Sequence, residues 1–149
     1  MKIVIGGDHA GFPLKADIVT FVKGLGHEVT DVGSHTPDPV DFPDIAKAVC
    51  GALRAGEADR GLMVCGTGVG ASIAANKVRG IRAAVCHDVH SAHQSVEHDD
   101  VNVMCIGAQI VGPWLARDLV ASFLDAKFDP AEEDFARRVQ KLHDMENEA

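Results

Sequence analysis

The chain has 149 residues, 46% of them apolar, and this length suits one domain with one sizeable core. Its 14 Lys and Arg against 22 Asp and Glu give a formal net charge of −8, which disfavours nucleic acid and anionic membrane as partners. The first residues lead straight into a strand-like run without a signal-peptide stretch, and the four cysteines form no C-x-x-C pair. We therefore expect a cytoplasmic protein with free thiols.

Short apolar runs alternate with segments of helical period along the whole chain. The predicted strands are 2–6, 27–32, 61–65, 81–86 and 102–106, and the predicted helices are 12–25, 44–55, 70–77, 88–97, 113–126 and 131–146. Five strands with intervening helices predict a doubly wound, Rossmann-like α/β domain over 1–149, with a parallel sheet and helices on both faces in three layers. The last helix has only a narrow apolar stripe, Phe135, Val139 and Leu142, so we expect it to pack along an edge or on a neighbouring subunit.

Ligands of such sheets bind outside the carboxyl ends of the strands. Asp8 and His9 follow the first strand, and Cys65 ends the third. His98 and Asp99 end the fourth helix, just before the fifth strand, and we expect His98 to lie near the same ligand edge and to move protons there.

The stretch CGTGVGAS at 65–72 is the sharpest motif. Gly66, Gly68 and Gly70 let the backbone turn tightly and point N–H groups outward, which suits an anion. At the start of this turn, the loop amides and the positive end of the helix favour the thiolate of Cys65, as a base or a nucleophile. The alternative is that the glycines only serve the turn and that Cys65 is a small buried side chain.

Asp8 and His9 stand between glycines, where a carboxylate and an imidazole can hold hydroxyl groups or move protons. Asp8 can also serve as a cap of the next helix. Cys50, Cys86 and Cys105 have no glycine loop of their own, and we interpret them as packing residues.

Two other interpretations of these motifs are open. Gly66, Gly68 and Ala71, with Asp88 further on, match the dinucleotide fingerprint, which would suit a noncatalytic nucleotide-binding module; the match follows the third strand rather than the first. His90, His93 and Glu97 share a helix face that could hold a divalent metal, although a solvated face is the more frequent explanation. We expect neither a metal nor an organic cofactor.

The sequence resembles the type B ribose-5-phosphate isomerases, the family that also contains the galactose-6-phosphate isomerase subunits. The resemblance covers nearly the whole chain and rests on GGDHAGFPLK at 6–15, DFPDIA at 41–46, CGTGVGASIAANKVRGIRA at 65–83, SAHQSVEHDDVNVMCIGAQIVG at 91–112 and RRV at 137–139.

The resemblance implies cofactor-independent aldose–ketose isomerisation through a cis-enediolate. Cys65 would move a proton between C1 and C2 of the sugar, while main-chain amides from Gly66 to Gly70, including Gly68 and Val69, hold the enediolate oxygen. Thr67 and His98 would assist opening of the cyclic sugar, and Asp8 would hold a sugar hydroxyl.

Several positions depart from the family pattern. Gln109 stands where relatives that bind a sugar phosphate usually have Arg, and Asp134 and Phe135 replace an Arg-His pair. Of the cationic phosphate site, Arg138 and His9 are retained, and Asp99 replaces Asn. The implied substrate is ribose 5-phosphate of the pentose phosphate pathway or a related sugar, or else an unphosphorylated aldose such as allose or rhamnose.

The resemblance also implies a homodimer, or a tetramer as the alternative, in which the last helix reaches into the site of the neighbouring subunit.

Overall fold

The computed structural model describes residues 1–149, with five strands and six helices along the chain. The strands are β1 (Lys2–Gly7), β2 (Glu28–Asp31), β3 (Arg60–Cys65), β4 (Ala83–Val85) and β5 (Val103–Gly107). The helices are α1 (Phe12–Gly24), α2 (Phe42–Arg54), α3 (Val69–Ala75), α4 (Val89–Asp99), α5 (Pro113–Asp125) and α6 (Glu133–Glu148).

All five strands are parallel and lie in the order β2-β1-β3-β5-β4. Successive side chains of a strand point to opposite faces, so Ile3 and Ile5 pack with α1, α4 and α5, whereas Val4 packs with α2 and α3. The apolar runs of the central strands follow from burial on both faces. The predicted doubly wound, three-layer fold is confirmed.

Strand β4 covers Ala83–Val85, only half of the predicted 81–86. Ile81 belongs to the turn after α3, where its N–H donates to the carbonyl of Val78, and its side chain is buried. The sequence alone does not distinguish a buried apolar residue in a turn from one in a strand.

No helix is both long enough and apolar enough to cross a membrane.

Helix α6 lies along the edge of the sheet next to β4. Val139 is buried, His143 Nε2 lies 3.1 Å from an Arg82 guanidinium nitrogen, and a Glu146 carboxylate oxygen accepts the Gly80 N–H at 3.0 Å. Within one chain, the polar last helix thus contacts the residues that precede β4 and the end of α4. Its packing on a neighbouring subunit stays a prediction.

The direction of winding reverses between β1 and β3. After β1 the chain crosses to β2 on one side, and after β3 it crosses to β4 on the other, so a crevice opens at the carboxyl ends of these two neighbours. Gly7 pairs with Val64, which places the next residues, Asp8 and Cys65, at the same level of this edge. The topology thus brings together two motifs that are far apart in the sequence.

The turn after β1 lies directly on the end of β3. A Cβ on Gly11 would be 1.8 Å from the carbonyl oxygen of Val64 and 2.3 Å from its carbonyl carbon, so only glycine fits. This contact holds the start of α1 against the strand that carries Cys65.

We predict that Gly11→Ala lowers the free energy of unfolding by at least about 2 kcal/mol, because backbone rather than a flexible side chain must move. Gly51→Ala in α2 is the matched control, since nothing lies within 4 Å of its added Cβ. We expect that control to be neutral or stabilising by about 0.5 kcal/mol. Urea unfolding measures both, and equal effects would contradict the assigned contact.

Candidate active site

Cys65 is the last residue of β3 and begins the glycine loop. Its sulfur accepts the main-chain N–H of Gly68 at 3.0 Å, and its side chain is 6% exposed. Gly68 has φ +80°, a left-handed conformation that glycine adopts without strain, and it is the N-cap residue of α3. This hydrogen bond places a main-chain donor of the glycine loop against the sulfur.

Three main-chain donors of the loop and of the first turn of α3 are free. The N–H groups of Gly66 and Thr67 make no hydrogen bond within the chain, whereas the Val69 N–H donates to the Thr67 hydroxyl at 3.3 Å. The N–H of Gly70, in the first turn of α3, also has no acceptor. The loop therefore presents unsatisfied donors beside the thiol, which is the arrangement that an oxyanion requires.

Asp8 lies across the crevice from the thiol and is buried. One of its carboxylate oxygens accepts the Gly11 N–H at 3.0 Å, so the expected capping contact exists, and the other oxygen has no partner in the chain. His9 is exposed, and its Nδ1 accepts the N–H of Val40 at 3.2 Å. That bond leaves the proton of a neutral imidazole on Nε2.

Gln109 lies against the other side of the loop. A Cβ on Gly66 would be 3.1 Å from the Gln109 side-chain oxygen, and the Gln109 N–H donates to the Gly66 carbonyl at 3.0 Å. A cavity of about 510 Å³ opens beside it, with His9, Pro13 and Gln109 in its wall. Cys65 lines none of the cavities of the single chain.

The other three cysteines are in the hydrophobic core. Burial raises the pKa of the Cys50 thiol to about 11 and also raises the pKa values of Cys86 and Cys105. All four cysteines are free thiols. Only Cys65 combines a free thiol with the amides of a glycine loop, which agrees with the interpretation of the other three as packing residues.

His98 and Asp99 lie at the amino edge of the sheet, so the expectation that His98 shares the ligand edge within one chain is wrong. A helix that joins parallel strands runs back against them, and the 11 residues of α4 return about 16 Å. The neighbouring Asp100 accepts hydrogen bonds from Arg82, which directly precedes β4. The His98 ring stacks on Phe135 with 3.9 Å between ring centroids.

Arg138 belongs to the same amino-edge group, one turn of α6 after Phe135. Its guanidinium lies 3.6 Å from the Asp134 carboxylate, which also pairs with Arg137 at 2.7 Å. The predicted site residues therefore form two groups in one chain. Asp8, His9, Cys65, Gly66, Thr67, Gly68, Val69, Gly70 and Gln109 lie at the carboxyl edge, whereas His98, Asp99 and Arg138 lie elsewhere.

The metal and dinucleotide interpretations have little geometric support. His93 pairs with Glu97 at 3.4 Å, and no group of three or more His, Cys, Asp or Glu side chains is arranged to hold a metal ion. Asp88 accepts the main-chain N–H and the hydroxyl of Ser91, both at 2.7 Å, and these bonds lower its pKa. It serves as the cap of α4 rather than as a ribose ligand.

The sequence pattern assigned no role to His87, although it stands at the carboxyl end of β4. Its Nε2 accepts the N–H of Gly107, the last residue of β5, at 2.9 Å. Only its position after a strand could have drawn attention to it, because the hydrogen bond joins residues 20 positions apart.

A thiol beside free main-chain donors, facing a buried carboxylate, suits removal of a proton next to a carbonyl group while negative charge collects on oxygen. Aldose–ketose isomerases perform chemistry of this kind. A family model described as Ribose/Galactose Isomerase matches residues 3–142.

Individual relatives agree with this class. The chain is 45% identical over 128 residues to ribose-5-phosphate isomerase B of Escherichia coli, covering 86% of each chain. It is also 45% identical over 134 residues to D-erythrulose-4-phosphate isomerase 2 of Mycolicibacterium smegmatis, covering 87% of this chain and 88% of that one. The solved structure of ribose-5-phosphate isomerase B from Clostridium thermocellum matches with a TM-score of 0.95 at 47% identity, covering 99% of each chain. The chain belongs to the ribose/galactose isomerase family and is an aldose–ketose isomerase.

Proposed function

We propose that this isomerase interconverts ribose 5-phosphate and ribulose 5-phosphate, or a related pair of sugar phosphates, with Cys65 as the base. The observation that carries the proposal is the position of the Cys65 sulfur, which accepts the Gly68 N–H and lies next to the free N–H groups of Gly66 and Thr67.

The reaction removes a proton from the carbon next to the carbonyl and leaves a cis-enediolate. The Cys65 thiolate takes this proton from C2 and returns it to C1, so the transfer between the carbons needs no other base. The hydroxyl proton on the C2 oxygen passes to the C1 oxygen within the enediolate, which balances the change from aldose to ketose. The free loop amides bind the enediolate oxygen, where negative charge develops, and losing one such donor typically costs about a hundredfold in kcat. The unpartnered oxygen of Asp8 accepts a sugar hydroxyl.

The roles of Thr67 and His98 concern the cyclic form of the sugar. Opening the ring requires a proton to leave one oxygen and reach another, and a hydroxyl and an imidazole can both transfer one. Thr67 is exposed next to the thiol, whereas His98 of the same chain lies at the opposite edge. The proposal therefore takes His98, Asp99 and Arg138 from a second copy of the chain.

A homodimer is supported by an exposed apolar face beside the loop. Val69 and Ile73 of α3 are 52% and 57% exposed, and Val85 and Val89 on the neighbouring β4 and α4 are exposed as well. A face of this kind next to a short edge strand is typical of an interface. A second copy would also provide a wall over Cys65, and a tetramer would be a pair of such dimers.

We predict that two inactive variants restore each other's activity when they form mixed dimers. If the site combines Cys65 of one copy with His98 of the other, a dimer of Cys65→Ala with His98→Ala contains one intact site. Random mixing makes half of the dimers mixed, with one of two sites intact, so activity should reach about a quarter of the wild-type value.

The control for this experiment mixes Cys65→Ala with Thr67→Ala, which affects the same loop and cannot regenerate an intact site. Native mass spectrometry establishes the number of subunits in each sample. Activity of the first mixture no higher than the mean of its two parents would contradict the shared site.

A second candidate function is isomerisation of an unphosphorylated aldose such as allose or rhamnose. The supporting observation is that Asp134 pairs with Arg138, the cation otherwise available to a phosphate, and that Gln109 is neutral. Comparing kcat/KM for ribose and ribose 5-phosphate decides between the candidates, because a phosphate-binding site should prefer the phosphorylated sugar by at least about tenfold.

We predict that Asp134→Asn lowers KM for ribose 5-phosphate by about threefold to tenfold, because it frees Arg138 for the phosphate. KM for ribose should stay the same. Glu133→Gln is the matched control, since it removes the same charge from the same helical turn and has no ion pair with Arg138. Equal changes for both sugars, or in both variants, would argue against Arg138 as a phosphate ligand.

We predict that Cys65→Ala keeps the fold and lowers kcat by at least about a thousandfold, because the base is lost. Cys86→Ala removes a buried thiol that packs in the core and should keep kcat within about twofold. Steady-state isomerisation assays with circular dichroism measure both effects. A comparable loss in the two variants would show that Cys65 is not the base.

A further inference from the structure

His87 is the titratable side chain at the carboxyl edge that the proposed reaction leaves unused. It is partly buried, and its Nε2 accepts the Gly107 N–H at 2.9 Å. An imidazole nitrogen that accepts a hydrogen bond carries no proton, so in this contact the proton of the neutral ring is on Nδ1.

The ring takes the place of a main-chain acceptor in the sheet. Along β5, alternate residues face β4: the Val103 N–H donates to the Arg82 carbonyl at 3.2 Å, and the Cys105 carbonyl accepts the Cys86 N–H at 3.2 Å. The next donor on this side is Gly107, but β4 has already ended at Val85. The imidazole of His87 accepts that donor instead.

Gly107 begins a short segment, residues 107–109, on which the glycine loop rests and which we call the shelf. A Cβ on Gly107 would be 2.7 Å from the Thr67 Cα and 2.8 Å from the Gly66 carbonyl oxygen. The next two N–H groups of the shelf donate to the Cys65 carbonyl at 2.8 Å and to the Gly66 carbonyl at 3.0 Å. The shelf therefore contacts the backbone of every residue from 65 to 67.

We propose that His87 is a positioning residue for the proposed isomerase. By accepting the Gly107 N–H, it fixes the position of the shelf, and the shelf in turn fixes the orientation of the loop amides and of the Cys65 thiol. It acts through Gly107 and touches no reacting atom. Without the His87 acceptor, the Gly107 N–H must donate to water instead, and we expect the shelf to move away from the loop to allow this. Displacements well below 1 Å are enough to reduce catalysis that depends on aimed donors.

The kinetic test compares an acceptor-free variant with one that keeps an acceptor. His87→Leu should lower kcat by about tenfold or more with KM within about threefold, because the transition state depends on the loop amides more than substrate binding does. His87→Gln carries an oxygen near the position of Nε2 and should restore kcat to within about threefold of wild type. His90→Leu, on the exposed start of α4, is the matched control and should behave as wild type.

Circular dichroism and thermal unfolding establish that each variant is folded, and His87→Ala replaces His87→Leu if the latter does not fold. Wild-type kcat in the acceptor-free variant would overturn the proposal. So would equal losses in the glutamine and acceptor-free variants, or a rise in KM without a fall in kcat.

Because the kinetic readout rests on the proposed function, a second readout uses no substrate. Mass spectrometry follows alkylation of Cys65 by iodoacetamide at neutral pH. When the loop moves, the Gly68 N–H no longer contacts the sulfur, and alkylation loses a donor that stabilises the attacking sulfur. The acceptor-free variant should therefore react at least about threefold more slowly, and His87→Gln should match wild type. An unchanged or faster rate overturns the positioning role. If wild type isomerises no sugar while the alkylation rates differ as expected, the proposed function fails and the positioning role stands.

Discussion

The parallel pairing of β1 with β3 is the constraint on which the site depends. It pairs Gly7 with Val64 at the point where the winding reverses. The close approach of Gly11 to the Val64 carbonyl packs the turn after β1 against the end of β3. Asp8 and the Cys65 loop therefore face one crevice although 57 positions separate them in the sequence. The same backbone geometry leaves loop amides without partners, and the proposed mechanism uses these donors to bind the enediolate oxygen.

The carboxyl edge of one chain contains the groups suited to proton transfer, but not Arg138, the cation suited to a phosphate. The carboxyl edge supplies a thiol, main-chain donors and a carboxylate, which suffice for moving a proton between two carbons. The cation suited to a distal phosphate, Arg138, is on α6 and is partly neutralised by Asp134. In the proposed mechanism, selection of the substrate depends on this ion pair of α6, whereas the proton transfer depends on the loop after β3, so a change in specificity would leave the proton transfer unaltered.

The sequence predicted the fold well because strand and helix periods are local properties. It also selected Cys65, Thr67 and Asp8 as candidate site residues, since glycine-rich turns after apolar strands can be recognised in the sequence. His98 was misplaced within the chain, because nearness to β5 in the sequence suggests the ligand edge, whereas α4 returns to the amino edge. His87 escaped notice for a different reason: its significance comes from a hydrogen bond to Gly107 and from the contact of Gly107 with Thr67, and both depend on how β4, β5 and α3 meet.

The central claim is that one sulfur carries a proton between adjacent sugar carbons, and isotope exchange tests it most directly. Folded protein is incubated in deuterated water with ribose 5-phosphate, ribose, allose and rhamnose, and nuclear magnetic resonance follows the hydrogen on C2. The account predicts deuterium at C2 of at least one sugar with wild type and none above background with Cys65→Ala. Exchange that survives loss of the thiol, or no exchange with any of the four sugars, would contradict it.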